Sequence, residues 1–266
     1  MIFDYEIKTL PTIIILGEID SNKIKFDNFE KVNNALVLKQ QVVPHFSINS
    51  NKLNGIVDII EIMDSSCEKC VELSSIPLTL GQSGVSIGDW KKIEYNSTEG
   101  VALVKKYLLT HAPTVLISKE INYYDSVKQS LSQAGASDKG DYYSLHSTSP
   151  QYRNITSNKI VGLTDLILID DKTCGNCYDV NLNKVALENL GITINTEKTY
   201  DISSSEAKSL IAKYSIEKVP TMILSSEANS YPGFANVWQE VGTIENDGFF
   251  VMRKPEIIGN ATSVRI

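Results

Sequence analysis

No apolar run in this 266-residue chain is longer than four residues, as in Ile13 to Leu16. A membrane-spanning helix needs ~20 such residues, so none is expected here. Positive charge is also scarce, with 25 Lys and Arg against 32 Asp and Glu and a formal charge of −7. Nucleic acids and anionic membrane surfaces are held through basic patches that release counterions, and neither is expected as a partner. Histidine is limited to His45, His111 and His146, which read as solvated surface residues. Cysteine stops at four, all in Cys-x-x-Cys pairs that lie a whole domain apart. Structural zinc wants four converging ligands, so no metal is expected.

What the chain does contain is one module written twice. At a constant offset of 107 and without a gap, Gly55-Ile-Val-Asp-Ile-Ile-Glu-Ile-Met-Asp-Ser-Ser-Cys67-Glu-Lys-Cys70 lies over Gly162-Leu-Thr-Asp-Leu-Ile-Leu-Ile-Asp-Asp-Lys-Thr-Cys174-Gly-Asn-Cys177. Downstream, Ala112-Pro113-Thr114 lies over Val219-Pro220-Thr221, and first cysteine to proline is 46 residues in both copies. Gly84 and Gly191, Glu99 and Glu206, Glu120 and Glu227, and Gly135 and Gly242 keep the same step. A repeat near this length is one small domain, and 42% apolar residues suffice for two cores of roughly 100 residues. The segment Thr9-Leu10-Pro11-Thr12 through Glu18 reads like a third proline segment, and setting Pro11 on Pro220 puts Phe29 on Trp238 and Val32 on Val241. Residues 1–43 are therefore expected to be the back half of another module, and the chain a piece of a longer array.

Each module has a readable element order. Residues 56–63 and 163–169 are short β-branched runs that suit buried strands, and a cysteine pair follows each at once. A helix is expected over 178–191, with Pro77 interrupting its counterpart in the first copy. Strands then begin after Gly84 and Gly191, amphipathic helices cover 97–109 and 204–216, and Glu99 and Glu206 sit where a carboxylate favours the helix dipole. The prolines open apolar strands at 114–117 and 221–224. Last helices cover 125–134 and 234–241, and Trp238 reads as core. Asp247-Gly248 marks a tight turn.

That order, with Cys-x-x-Cys after a buried strand and Pro-Thr 46 residues on, resembles the thioredoxin-like fold in the tandem arrangement of protein disulfide isomerases and related oxidoreductases. The resemblance covers about 55–150 and 160–255. It implies an α/β fold with two tandem thioredoxin-like domains at 52–150 and 159–266, each a central mixed β-sheet flanked by helices, preceded by the half unit at 1–43. It further implies that Pro113 and Pro220 are cis and face the cysteines. The backbone at Ala112, Pro113, Val219 and Pro220 would take a client peptide as an added strand.

The chemistry expected of such a site starts at a helix N-terminus, where Cys67 and Cys174 would have lowered pKa values and attack as thiolates. Cys70 and Cys177 would resolve the mixed disulfide, with no cofactor beyond the redox-active disulfides. Partners would be protein or peptide disulfides and dithiols, plus a recycling redox partner. Lys69 would offer a cation at the first site, opposed by Glu68. Members of the family tend to place a buried acid six residues before the first cysteine, which is Glu61 here but Leu168 in the second copy. Ser66 and Thr173 stand where thioredoxins usually carry tryptophan, and neither pair encloses a proline. A second reading stays open: a non-catalytic repeat scaffold, structural or adhesive, whose pairs are structural disulfides. The Ser/Thr/Asn/Tyr-rich, Lys-poor composition and the absence of unpaired cysteine lean towards an extracytoplasmic or cell-surface location, with the cytoplasm as the alternative.

Overall fold

The computed structural model describes residues 2–17, 27–39, 42–257 and 262–266; Glu18 and Asn260 lie outside the described residues. The chain divides into two compact units. One comprises Met1–Met63, Glu72–Leu109 and Pro113–His146, the other Asp64–Val71, Thr110–Ala112 and Ser147–Ile266.

Each unit is built on a five-stranded mixed sheet. In the first, the spatial order is Ser137–Asp138, Tyr142–His146, Thr114–Ser118, Ile56–Met63, Ser86–Glu94. In the second it is Gly242–Ile244, Phe250–Met252, Thr221–Leu224, Thr164–Asp170, Ile194–Asp201. The last two strands of each list run parallel and the other neighbours antiparallel. Even the irregularity repeats, since the parallel register shifts between Val57 and Ile59 in one sheet and between Thr164 and Leu166 in the other. A smaller sheet of Phe29–Val32, Ala35–Leu38 and Ile14–Leu16 reproduces the order of the first three strands in each list, as expected for the back half of a module.

Inner strands are apolar on both faces because helices cover both. In the second unit Leu166, Leu168, Met222, Leu224 and Phe250 pack with Leu187, Phe234 and Trp238, while Ile169, Ile223 and Val251 pack with Ala207, Tyr214 and Ile216. This alternation is the two-residue period of a strand sorting side chains to opposite faces. Trp238 is 2% exposed and donates its indole N–H to the Thr243 carbonyl at 3.1 Å, so it is core, as read. The outer strand Ser86–Glu94 is mostly exposed and carries Lys91, Lys92 and Glu94, charges that blunt an open sheet edge.

The helices at Thr98–Tyr107 and Ser205–Tyr214 start alike. Ser97 accepts from the Gly100 N–H and Ser204 from the Ala207 N–H, each satisfying one orphan donor of the first turn. Pro77 does not break the first copy's helix. That helix runs Ser75–Gln82, which puts Pro77 in the first turn, where no intrahelical N–H is required.

A polar staple closes each module. The Tyr124 hydroxyl donates to the Gly55 carbonyl at 2.7 Å and accepts from the Ser86 N–H at 3.0 Å. Its counterpart Tyr231 does the same with Gly162 and Thr193, at 2.6 and 2.8 Å. Glu120 and Glu227 accept from the N–H groups of Gly55 and Gly162. Both glycines have positive φ, +82° and +88°, the left-handed region that disfavours a side chain. One expectation fails here. His45 is 2% exposed, because its ring packs edge-on to Tyr123 at 5.3 Å and lies 3.4 Å from the Asn54 amide, although the tip of its hairpin is exposed. Among the described residues no helix is long and apolar enough to cross a membrane.

Candidate functional site

Both cysteine pairs are closed, Cys67 to Cys70 and Cys174 to Cys177, with Cα atoms 5.4 and 5.5 Å apart. Each pair rides on two successive turns. Cys67 and Cys174 donate their N–H groups to Asp64 and Asp171, and Cys70 and Cys177 donate theirs to Cys67 and Cys174, at 3.0–3.3 Å. Cys67 is 8% exposed, whereas the other three cysteines are half-buried.

The expected helix N-terminus is not at the cysteines. Helices begin at Ser75 and Leu182, eight residues beyond each first cysteine, and the dipole's effect fades within the first turn. The cause is visible one residue after each pair. The Val71 N–H goes to the Gln151 carbonyl at 2.9 Å and the Tyr178 N–H to the Thr262 carbonyl at 3.1 Å, so neither is free to turn back and extend the helix through the pair.

The same returning segments take the backbone expected to receive a client. His111–Ala112 pairs antiparallel with Tyr152–Asn154, Ala112 opposite Arg153. Lys218–Val219 pairs with Val264–Arg265, Val219 opposite Val264. In the half module, Thr9–Leu10 pairs with His45–Ser47. Ala112 and Val219 are wholly buried. Every described proline edge is thus occupied by the chain itself, a strand addition from within. The prolines also differ: Val219–Pro220 is cis, while Ala112–Pro113 is trans, the form that ordinary X–Pro bonds favour by about 0.5–1 kcal/mol. The Pro220 carbonyl accepts from the Tyr178 hydroxyl at 3.3 Å; burial pushes the pKa of that phenol up to about 12.

The acids sort differently from expectation. Glu61 is 2% exposed and is held by the Ser74 hydroxyl at 2.8 Å, with the Lys92 ammonium at 3.6 Å. Nearer the sulfurs stands Asp64, one of whose oxygens and the two Sγ atoms of Cys67 and Cys70 all lie within 4.8 Å of one another. The Asp64 carboxylate accepts from the Arg153 Nε at 2.6 Å and from the Ser66 hydroxyl. With the sulfurs joined to each other and the carboxylate so engaged, these donors are taken up. Lys69 donates to the carbonyls of Ile194 and Asn195 at 2.8 and 3.3 Å, so its ammonium is held there by backbone acceptors. The signal for Asp64 was present in the repeat, since Asp171 occupies its place. Arg153 had no such signal, because only the hairpin's pairing with Ala112 brings it to the site.

No family model and no curated protein matches the chain. Among solved structures it is similar to the alkylhydroperoxide reductase AhpF of Enterococcus faecalis, at 18% identity over 64% of this chain and 81% of that one, with a TM-score of 0.22. Human ERp44 is similar at 8% identity over 64% and 44%, with a TM-score of 0.19. Full-length ERdj5 is similar at 10% over 66% and 26%, with a TM-score of 0.18. The chain's own strand order decides the fold. These are tandem thioredoxin-like domains. In each copy of the repeat the cysteine pair sits on the loop that leaves the inner parallel strand, and both loops belong to the second compact unit.

Proposed function

We propose that the chain is a thiol–disulfide oxidoreductase that works through Cys67–Cys70 and Cys174–Cys177. The repetition of the closed pair at one place in two modules carries this reading. A four-residue loop is a poor staple, about 2 kcal/mol by chain entropy, against nearly 5 for a 100-residue loop, so stability alone is a weak reason to keep both. From the closed state, a client thiolate attacks one sulfur and expels the other cysteine as a thiolate that takes a proton. A second client thiolate then attacks the client sulfur of the mixed disulfide. A client disulfide leaves, and two electrons and two protons end on the pair.

The clients in this reading are extended peptide thiols or disulfides able to displace the returning strand, with a separate dithiol or oxidase to reset the pair. Residues 52–150 and 159–266 are the redox modules and 1–43 is a half module. An extracytoplasmic setting fits cysteines that all occur in pairs. The second reading, a binding scaffold stapled by its pairs, draws its support from the burial of Cys67 and the occupied edges.

Titration of each pair against glutathione buffers, with thiols trapped and read by mass spectrometry, separates the two. Reversible exchange at accessible potentials supports the oxidoreductase. Pairs that stay oxidised until the protein unfolds support the scaffold.

A further inference from the structure

One difference between the two sites is an ion pair. At the first, Asp64 has a 1% exposed side chain and Arg153 a 12% exposed one, with Nε and Oδ2 2.6 Å apart. The guanidinium also reaches the Ser66 hydroxyl at 2.9 Å and the Asn158 carbonyl at 3.0 Å, so its plane is fixed directly beside the residue preceding Cys67. At the second site the ladder position of Arg153 is held by Val264. Asp171 there is half-buried and, among the described residues, bonds locally, accepting from the Thr173 N–H at 2.9 Å and its hydroxyl at 2.6 Å.

We propose that the Asp64–Arg153 pair is a charge device that sets the acidity of the reduced Cys67–Cys70 thiols, with Arg153 as a positioning residue delivered by the returning strand. This rests on the exchange reading and deepens it. A carboxylate oxygen within 4.8 Å of both sulfurs opposes a thiolate, and the guanidinium that neutralises it removes that opposition. Either charge alone therefore pulls the thiols in opposite directions. Next to the pair in the chain stand Glu68, Lys69 and Glu72, all exposed, with Lys69 bonded to backbone carbonyls. On the paired strands, His111 lies against the Tyr152 ring at 4.3 Å.

The test uses the full chain, reduced with excess dithiothreitol that is then removed, and follows iodoacetamide alkylation of each cysteine against pH by mass spectrometry. R153M strands the carboxylate and is expected to lower the acid dissociation constant of the Cys67–Cys70 thiols about tenfold, one pKa unit. D64N strands the guanidinium and is expected to raise it about tenfold. The R153M/D64N double variant and R153K are expected within about threefold of wild type, and the Cys174–Cys177 curve should be the same in all. A merely structural pair would move both single variants the same way or neither, and that result overturns the proposal. Should R153M fail to fold, D64N and the double variant decide together, since loosening that exposes the buried Cys67 would acidify its thiol in both, whereas a stranded guanidinium acidifies it in D64N alone. If glutathione exchanges with neither pair in wild type, the oxidoreductase reading falls, while the alkylation curves still judge the charge device.

Discussion

Residues 262–266 cover the second proline edge, and their removal gives the sharpest expectation. Deleting them breaks the bond from the Tyr178 N–H to Thr262, 3.1 Å, the bond from the Ile266 N–H to Glu217, 3.0 Å, and the short ladder that pairs Val219 with Val264. The exposed Arg265–Glu217 ion pair at 3.5 Å adds little, as surface pairs do. Those two backbone bonds and at least one within the ladder, at about 1 kcal/mol each, make displacement of the strand cost at least about 3 kcal/mol. At 1.4 kcal/mol per factor of ten, the open edge is then populated roughly 10²-fold less than the closed one. If a peptide thiol must dock on that edge, the deletion raises the rate at which it reduces Cys174–Cys177 by up to about a hundredfold. The rate at Cys67–Cys70 stays as it was, because its edge is held by Tyr152–Asn154. The assay is timed quenching with an alkylating agent and mass-spectrometric reading of each pair, with a cysteine-containing peptide as reductant. A change under twofold at Cys174–Cys177 would refute the idea that the returning strand guards the site.

Three other outcomes follow from the same geometry. The C67S/C70S double variant should lose about 2 kcal/mol of unfolding free energy by the loop-entropy relation, measured by urea denaturation under matched conditions; a loss above about 4 kcal/mol would make the pair a structural staple. Trp238→Ala opens the core under Phe234 and Phe250, whose rings lie 5.5 and 5.6 Å from it, and should cost about 3–5 kcal/mol in the same assay. Burial pushes the Glu120 carboxyl up, but the Gly55 N–H and the Lys52 ammonium at 2.9 Å outweigh it and hold the pKa below its ordinary 4.5. A depressed acid stabilises the fold above its unfolded pKa and loses that contribution as pH falls through the folded value. Wild type should therefore lose stability below about pH 4.5 more steeply than Glu120→Gln, as followed by circular dichroism.

Most of the fold was legible because its signals are local. A buried strand, a serine cap and a glycine with positive φ each declare themselves within a few residues, and the repeat states each of them twice. Ser97 and Ser204 open the helices expected over 97–109 and 204–216 and cap them, and Gly84 and Gly191 follow their helices in the left-handed region at φ +87° and +78°. The site was legible only as far as the cysteines. Its surroundings depend on contacts remote in sequence, such as Val71 with Gln151, 80 residues away, and Asp64 with Arg153, 89 away. No local pattern encodes such pairings. A hairpin of moderate polarity, Tyr152–Val161, proves to be the element that stops the helix short, fills the client edge and brings the guanidinium to the first pair. The repeat carries the hairpin's strand pairing to the second site but not its arginine, since Val264 stands there. Two sites with one backbone plan thus carry different charge, and under the proposed charge device the acidity of their thiols differs through the returning strands.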